Sequence, residues 1–382
     1  MSTILVLGGG VGGVVAANTL RRRLGREHRV ILVDREASFS LAASFLWVMN
    51  GSRRPDQIAR PLAGLRRKGI QVILGEVESI DPARREATVS GERIAADHLV
   101  VALGAEFRAD AVDGLAESGL TFCTLDGATR LRDALGQLRQ GRVIVMTAAP
   151  AYKCPAAPYE AAMLIDADLR RRGLRDAVTL EMFTAEPGPM GVAGPEATAA
   201  VRGMVEAKGI AYHPDYQVVR VDAAARRLLF SNGVEAGFDL LAYVPPIRPP
   251  QVILDAGLAG ASGWAEVDRH TFETRFPGVY AIGDVTAIPL AIGKPLPKAG
   301  VFAHAQAEVV ARNIIREVTG HGEAARYDGH GACFIESGAG KAGYGTGNFY
   351  AEPSPAVRMH RPGRMWHAGK VLFERHWFWR WL

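Results

Sequence analysis

The apolar run Thr3 to Leu7 passes directly into Gly8, Gly10 and Gly13, spaced G-x-G-x-x-G. Nothing else in the chain constrains the fold as strongly. A strand that turns through this spacing into a helix, here Val14 to Arg23, opens a doubly wound α/β sheet. Gly8 permits the tight turn, and Gly10 lets the backbone approach a pyrophosphate. Gly13 lets helix and strand pack closely, with the helix N-terminus facing the phosphates. A second strand, Val30 to Val33, ends in Asp34, 21 residues beyond Gly13. A carboxylate there can bond a ribose hydroxyl, with Arg35 beside it. Strand, loop, helix, strand and acid together predict a dinucleotide site.

The rest of the chain extends this pattern. Phe39, Phe45 and Trp47 read as packing residues. Asp56 to Lys68 reads as a helix, and Gln71 to Ala96 as a small meander. Asp97 to Gly104 is a buried strand that returns the chain to the cofactor at Gly104. A second unit begins with the strand Val143 to Met146, but its turn, Thr147-Ala148-Ala149-Pro150, has no glycine fingerprint. Cys154 follows, and Pro155 to Arg172 reads as a helix. Proline favours the first helical position, so Cys154 is expected at or next to the N-cap. The helix end and Lys153 would then favour a thiolate. Val178 to Phe183 is another strand, Ala197 to Lys208 a helix, and Tyr212 to Asp239 is rich in strands. After Leu240 to Val244, Pro245-Pro246 marks the return to the first unit. There the strand Val279 to Ile282 delivers Gly283 and Asp284, a carboxylate suited to a ribitol chain. Lys298 and Gly300 open the helix Val301 to Val318, and together suit an anionic ring. His304 and Gln306 read as packing or hydrogen-bonding residues.

The predicted organisation has two Rossmann-like units. Residues 1–110 and 245–328 form the cofactor domain, 111–244 a second domain without a nicotinamide fingerprint, and 329–382 a C-terminal region. Three cysteines among 382 residues exclude a disulfide scaffold and allow three single pairings. His330 and Glu336 flank Cys333 and are candidate proton carriers. The N-terminus enters a strand at once, without the features of a targeting peptide, which predicts a cytoplasmic protein. The net charge of +5 is scattered and gives no nucleic-acid stripe. The tail Trp366 to Leu382 holds four of the six tryptophans along with Lys370, Arg375 and Arg380. That composition suits a membrane interface, and equally an aromatic tail packed on the domain or in a homodimer.

With these residues in hand, the chain resembles the sulfide:quinone oxidoreductase group and the related flavoprotein subunit of flavocytochrome c sulfide dehydrogenase. The general part is Gly8 to Gly13, Asp34, Ala102-Leu103-Gly104 and Gly283-Asp284. The specific part is Cys154 in K-C-P-A-A-P-Y-E, Lys298 in P-K-A-G and Cys333 in G-A-C-F-I-E. The resemblance implies a glutathione-reductase-like fold and bound FAD. It also implies a redox disulfide between Cys154 and Cys333 that sulfide attacks, with two electrons passing to a membrane quinone. Phe349 and Tyr350 are candidate aromatics of the quinone pocket. Cys123 sits near where some members carry a third cysteine, which can link to FAD or shuttle sulfur. The rival readings are a type II NADH:quinone dehydrogenase and an electron-transfer subunit docking a cytochrome.

Overall fold

The computed structural model describes residues 1–382. In chain order its first sheet takes β1 (Thr3–Leu7), β2 (Arg29–Asp34), β3 (Gln71–Leu74) and β4 (His98–Val101), with helix α1 (Val11–Arg23) after β1. The second sheet takes β5 (Leu120–Thr121), β6 (Gly141–Thr147), β7 (Val178–Phe183), β8 (Ala211–His213) and β9 (Leu240–Val244), with α2 (Ala157–Arg171) after β6. The chain then returns to the first sheet with β10 (Val279–Ala281) and α3 (Gly300–Thr319). It ends in β11 (His330–Gly338), β12 (Lys341–Asn348), β13 (Ala356–Gly363) and α4 (Arg364–Trp381).

The first sheet has the order β10-β4-β1-β2-β3 and the second β5-β9-β6-β7-β8. Every pairing in both is parallel. Parallel sheets are covered on both faces, which explains continuous apolar strands. In β1, Ile4 and Val6 enter one core while Leu5 and Leu7 enter the core on the other face. In β6, Val143 and Val145 part from Ile144 and Met146 in the same way. The last three strands form an antiparallel sheet. Its first strand lies against α2 and its middle strand against α4.

Three local expectations are corrected. Asp56 to Lys68 is not a helix but two 3-10 turns separated by the short strand Ala59–Pro61. Pro61 lacks the N–H group that a continuous helix through it would need. Gln71–Leu74 joins the main sheet, and only Val77 to Ala95 forms the meander. Cys154 is not at the N-cap, which is Ala156. It lies two residues earlier in the left-handed region, with φ 56°.

The tail is a helix that packs and exposes at once. Trp377 and Trp381 are buried, with Trp377 stacked on Phe39 at 4.6 Å. Met365, Leu372, Phe373 and Trp379 are exposed. No helix is long and apolar enough to cross a membrane.

Candidate functional site: a dinucleotide cleft beside a two-thiol cavity

A cleft of about 1100 Å³ runs along the C-terminal ends of the first sheet. Gly8, Gly10, Asp34, Arg35, Gly104, Gly283, Asp284 and Gly300 line it. Gly13 lies beneath them: a Cβ there would stand 1.7 Å from the Gly8 carbonyl oxygen, so only glycine lets α1 approach the turn. One Asp34 oxygen accepts the Gly9 N–H and the other accepts that of Glu36. This holds the carboxylate at the lip of the cleft. The glycine turn, the helix N-terminus and the acid fit a dinucleotide.

Lys298 is placed differently from the other candidates. It lines the neighbouring cavity rather than the cleft. Its Nζ donates to the carbonyls of Asp284 (2.8 Å) and Thr286 (2.7 Å) and lies 3.4 Å from the Trp264 ring centroid. Burial pushes its pKa down to about 8, against the pull of Asp284. Burial raises the Asp284 carboxyl, while Lys153 and Lys298 oppose the rise. The Cys154 N–H donates to the Lys298 carbonyl at 2.8 Å, joining the segments that lead into α2 and α3.

That neighbouring cavity, about 860 Å³, contains both Cys154 and Cys333. Val301, Phe302, Ile335, Phe349 and Met359 make it mostly apolar, with Arg202 and Lys294 as its cations besides Lys298. All three cysteines are half-buried free thiols. The expected thiolate at Cys154 is not favoured. Burial raises that thiol well above its ordinary value, and Cys333 and Glu160 raise it further. Burial likewise takes Cys333 up to about 12, with Glu160 adding to the rise. Lys153 does not offset this, because its Nζ donates to the Ala105 carbonyl and lies over Phe107. Its charge acts on Cys123 instead, where burial still lifts the pKa to about 11. Cys123 lines the dinucleotide cleft.

His330 is exposed and paired with Asp328 at 3.0 Å. Phe349 lines the thiol cavity, but the Tyr350 hydroxyl points away, to the Arg269 carbonyl. Gln306 accepts the Gly283 N–H at 2.6 Å. Glu336 is buried, and its carboxylate meets the ring of His367 at 3.0 Å.

Two features were not found from the sequence. Glu186 follows β7, where a second Rossmann unit would hold a ribose-binding acid. Here its carboxylate accepts from Tyr152, Tyr159 and Thr147. The acid is consumed by the chain's own hydroxyls, and its position three residues past the strand was the available signal. Lys370 is the other. It is buried against Glu160 at 2.9 Å, yet in sequence it is one more cation in an aromatic tail.

A family model described as pyridine nucleotide-disulphide oxidoreductase matches residues 2–307. A sulfide-quinone reductase of Aquifex aeolicus is 28% identical over 395 residues, covering 99% of this chain and 90% of that protein. A mitochondrial sulfide:quinone oxidoreductase of Mus musculus is 23% identical, over 92% of this chain and 79% of the relative. The crystal structure of the Aquifex aeolicus sulfide:quinone oxidoreductase superposes with a TM-score of 0.90 at 26% identity, covering 100% of this chain and 91% of the other.

Proposed function

The chain belongs to the pyridine nucleotide-disulphide oxidoreductase family, and from that premise we propose that it is an FAD-dependent sulfide:quinone oxidoreductase. One observation carries the reading: Cys154 and Cys333, from distant parts of the chain, share one apolar cavity against the dinucleotide cleft. In the reactive state they are joined as a disulfide. Hydrosulfide attacks one sulfur, forming a persulfide, and the other cysteine leaves as a thiolate. FAD, held by Gly8 to Gly13, Asp34, Arg35, Gly104, Gly283, Asp284 and Gly300, supplies the two-electron acceptor that connects this chemistry to a quinone. Lys298 stands at the junction of cleft and cavity as a positive group, and Cys123 is a second sulfur on the cofactor side.

A nicotinamide donor is disfavoured by two features of the second unit. Its first turn has no glycine fingerprint, and Glu186 is engaged by three hydroxyls. Met365, Leu372 and Trp379, seven residues apart on α4, are 70%, 68% and 77% exposed. That spacing places them along one face of the helix. We assign this stripe to peripheral contact with the cytoplasmic face of a membrane, where anionic lipid attracts the basic chain and quinone is at hand.

The test is anaerobic addition of sulfide to the purified yellow protein, with NADH as control. Sulfide should bleach the flavin and NADH should not. Cys154→Ser and Cys333→Ser should each abolish bleaching while FAD stays bound. Bleaching by NADH alone, or full activity in either variant, overturns the proposal.

A further inference from the structure

Behind the two thiols runs a file of ionisable groups drawn from three separate elements. Glu160 of α2 is 3% exposed, Glu336 of β11 1%, and Lys370 of α4 6%. Lys370 Nζ lies 2.9 Å from Glu160 and 4.0 Å from Glu336. The Glu336 backbone N–H also donates to Glu160, at 2.8 Å. His367 Nδ1 lies 3.0 Å from both Glu336 oxygens. Its side chain is 32% exposed, so the file opens to solvent only there. At the inner end, Glu160 lies six residues beyond Cys154 and Glu336 three residues beyond Cys333, and the charges of Glu160 and Lys370 act on both thiols in opposite senses.

Stability alone does not explain such a file. A buried ion pair is commonly matched or bettered by apolar residues of similar volume. Its two ends, one at the sulfurs and one in water, suggest transport instead.

We infer that Glu160, Lys370, Glu336 and His367 carry protons between solvent and the sulfur pair, with His367 as the port. The inference rests on the sulfide reading above. When hydrosulfide attacks the disulfide, a new S–S bond forms to the incoming sulfur. The Cys154–Cys333 bond breaks, and its electron pair leaves on the other cysteine. The persulfide then loses its proton to Glu160. Lys370 passes a proton of its own to Glu336 and recovers one from Glu160, and His367 delivers one to water. The four relay groups end with the charges they began with, and the two sulfur anions that remain are the costly species until the electron acceptor relieves them.

Few other charges face the file. Beyond Lys370 on the same helix lies Glu374, already paired with Arg53 at 2.9 Å and bonded to Ser44. The uncharged Trp47 ring meets His367 edge-on and lies 5.0 Å from Lys370 Nζ.

The test begins with wild-type holoenzyme and sulfide. If its flavin is not reduced, the sulfide reading fails, whatever the file does. Given an active wild type, His367→Phe keeps a ring against Trp47 but removes the protonatable nitrogens. Flavin reduction by sulfide should slow about tenfold or more, flatten against pH, and recover with added imidazole. Persulfide on quenched protein, read by mass, should still form at the wild-type yield, because attack precedes proton exit. His367→Asn is the second variant should the first not fold, with the same expectations. A variant within twofold of wild type across the pH range, or a loss that imidazole does not repair, overturns the inference.

Discussion

Replacing Lys370 by methionine tests whether the tail helix is held by charge or by apolar packing. The lysine is 6% exposed and lies between two carboxylates that are 3% and 1% exposed. Burial alone would lower its pKa, but Glu160 and Glu336 more than reverse this, so it stays charged. Methionine preserves most of the volume, leaves Glu160 without its cation and leaves Glu336 with His367 alone. Removing one partner of such a set costs about 3–5 kcal/mol. Unfolding entropy of about 2.1 cal/mol/K per residue turns that into a fall of about 4–6 °C in Tm for a chain of this length melting as one unit. The sign with pH follows from the stranded acids. Their folded pKa values would rise above the unfolded value of about 4.3. The deficit is therefore complete above the folded values and shrinks as pH falls through them. Thermal unfolding of wild type and variant, followed by circular dichroism near about pH 5 and about pH 8, reads both effects. Adding Glu160→Gln to the variant should restore part of the loss at the higher pH. A fall of under about 1 °C, or a deficit independent of pH, would refute the charge-clamp reasoning.

Two further outcomes follow from other parts of the structure. Lys298 has its pKa lowered to about 8 from 10.5, so between those values the unfolded chain holds a proton that the folded chain has shed. Wild-type stability should therefore rise with pH across that window relative to Lys298→Met, and a constant Tm difference would contradict the assignment. Leu372→Glu with Trp379→Glu removes two exposed apolar side chains from the α4 stripe. Co-sedimentation with anionic lipid vesicles should fall at least about tenfold, since each side chain is worth about 1.5–3 kcal/mol when buried. Unchanged sedimentation would rule out the stripe as the membrane contact.

The legible parts of the chain were those where local and tertiary demands agree. The glycine turn needs glycine in any context, because the Gly13 position stands against the Gly8 carbonyl. The parallel strands needed to be apolar on both faces, and were. Asp56 to Lys68 is not a helix, although its composition is helical, because Pro61 interrupts it. The pairing of Cys154 with Cys333 came from resemblance alone, since no spacing rule links residues on α2's approach and on β11. Lys370 was illegible for a related reason. Its burial exists only when α2, β11 and α4 meet.

The instructive misreading concerns Cys154. A helix N-terminus and a neighbouring lysine argued for a standing thiolate. The fold removes both influences, placing the residue two positions ahead of the N-cap and aiming Lys153 at Ala105. Burial then pushes both cavity thiols up. An apolar cavity that penalises thiolates favours the neutral forms of its sulfurs, and a disulfide is neutral without holding a proton. Activation therefore has to come from the attacking hydrosulfide, not from a resting thiolate. The thiolate released on opening is a poor fit to its surroundings until its charge moves on to the cofactor side. A site built this way places its chemical demand on moving charge out. Lys298, which lines the same cavity and whose carbonyl accepts the Cys154 N–H, is the cation placed to answer that demand.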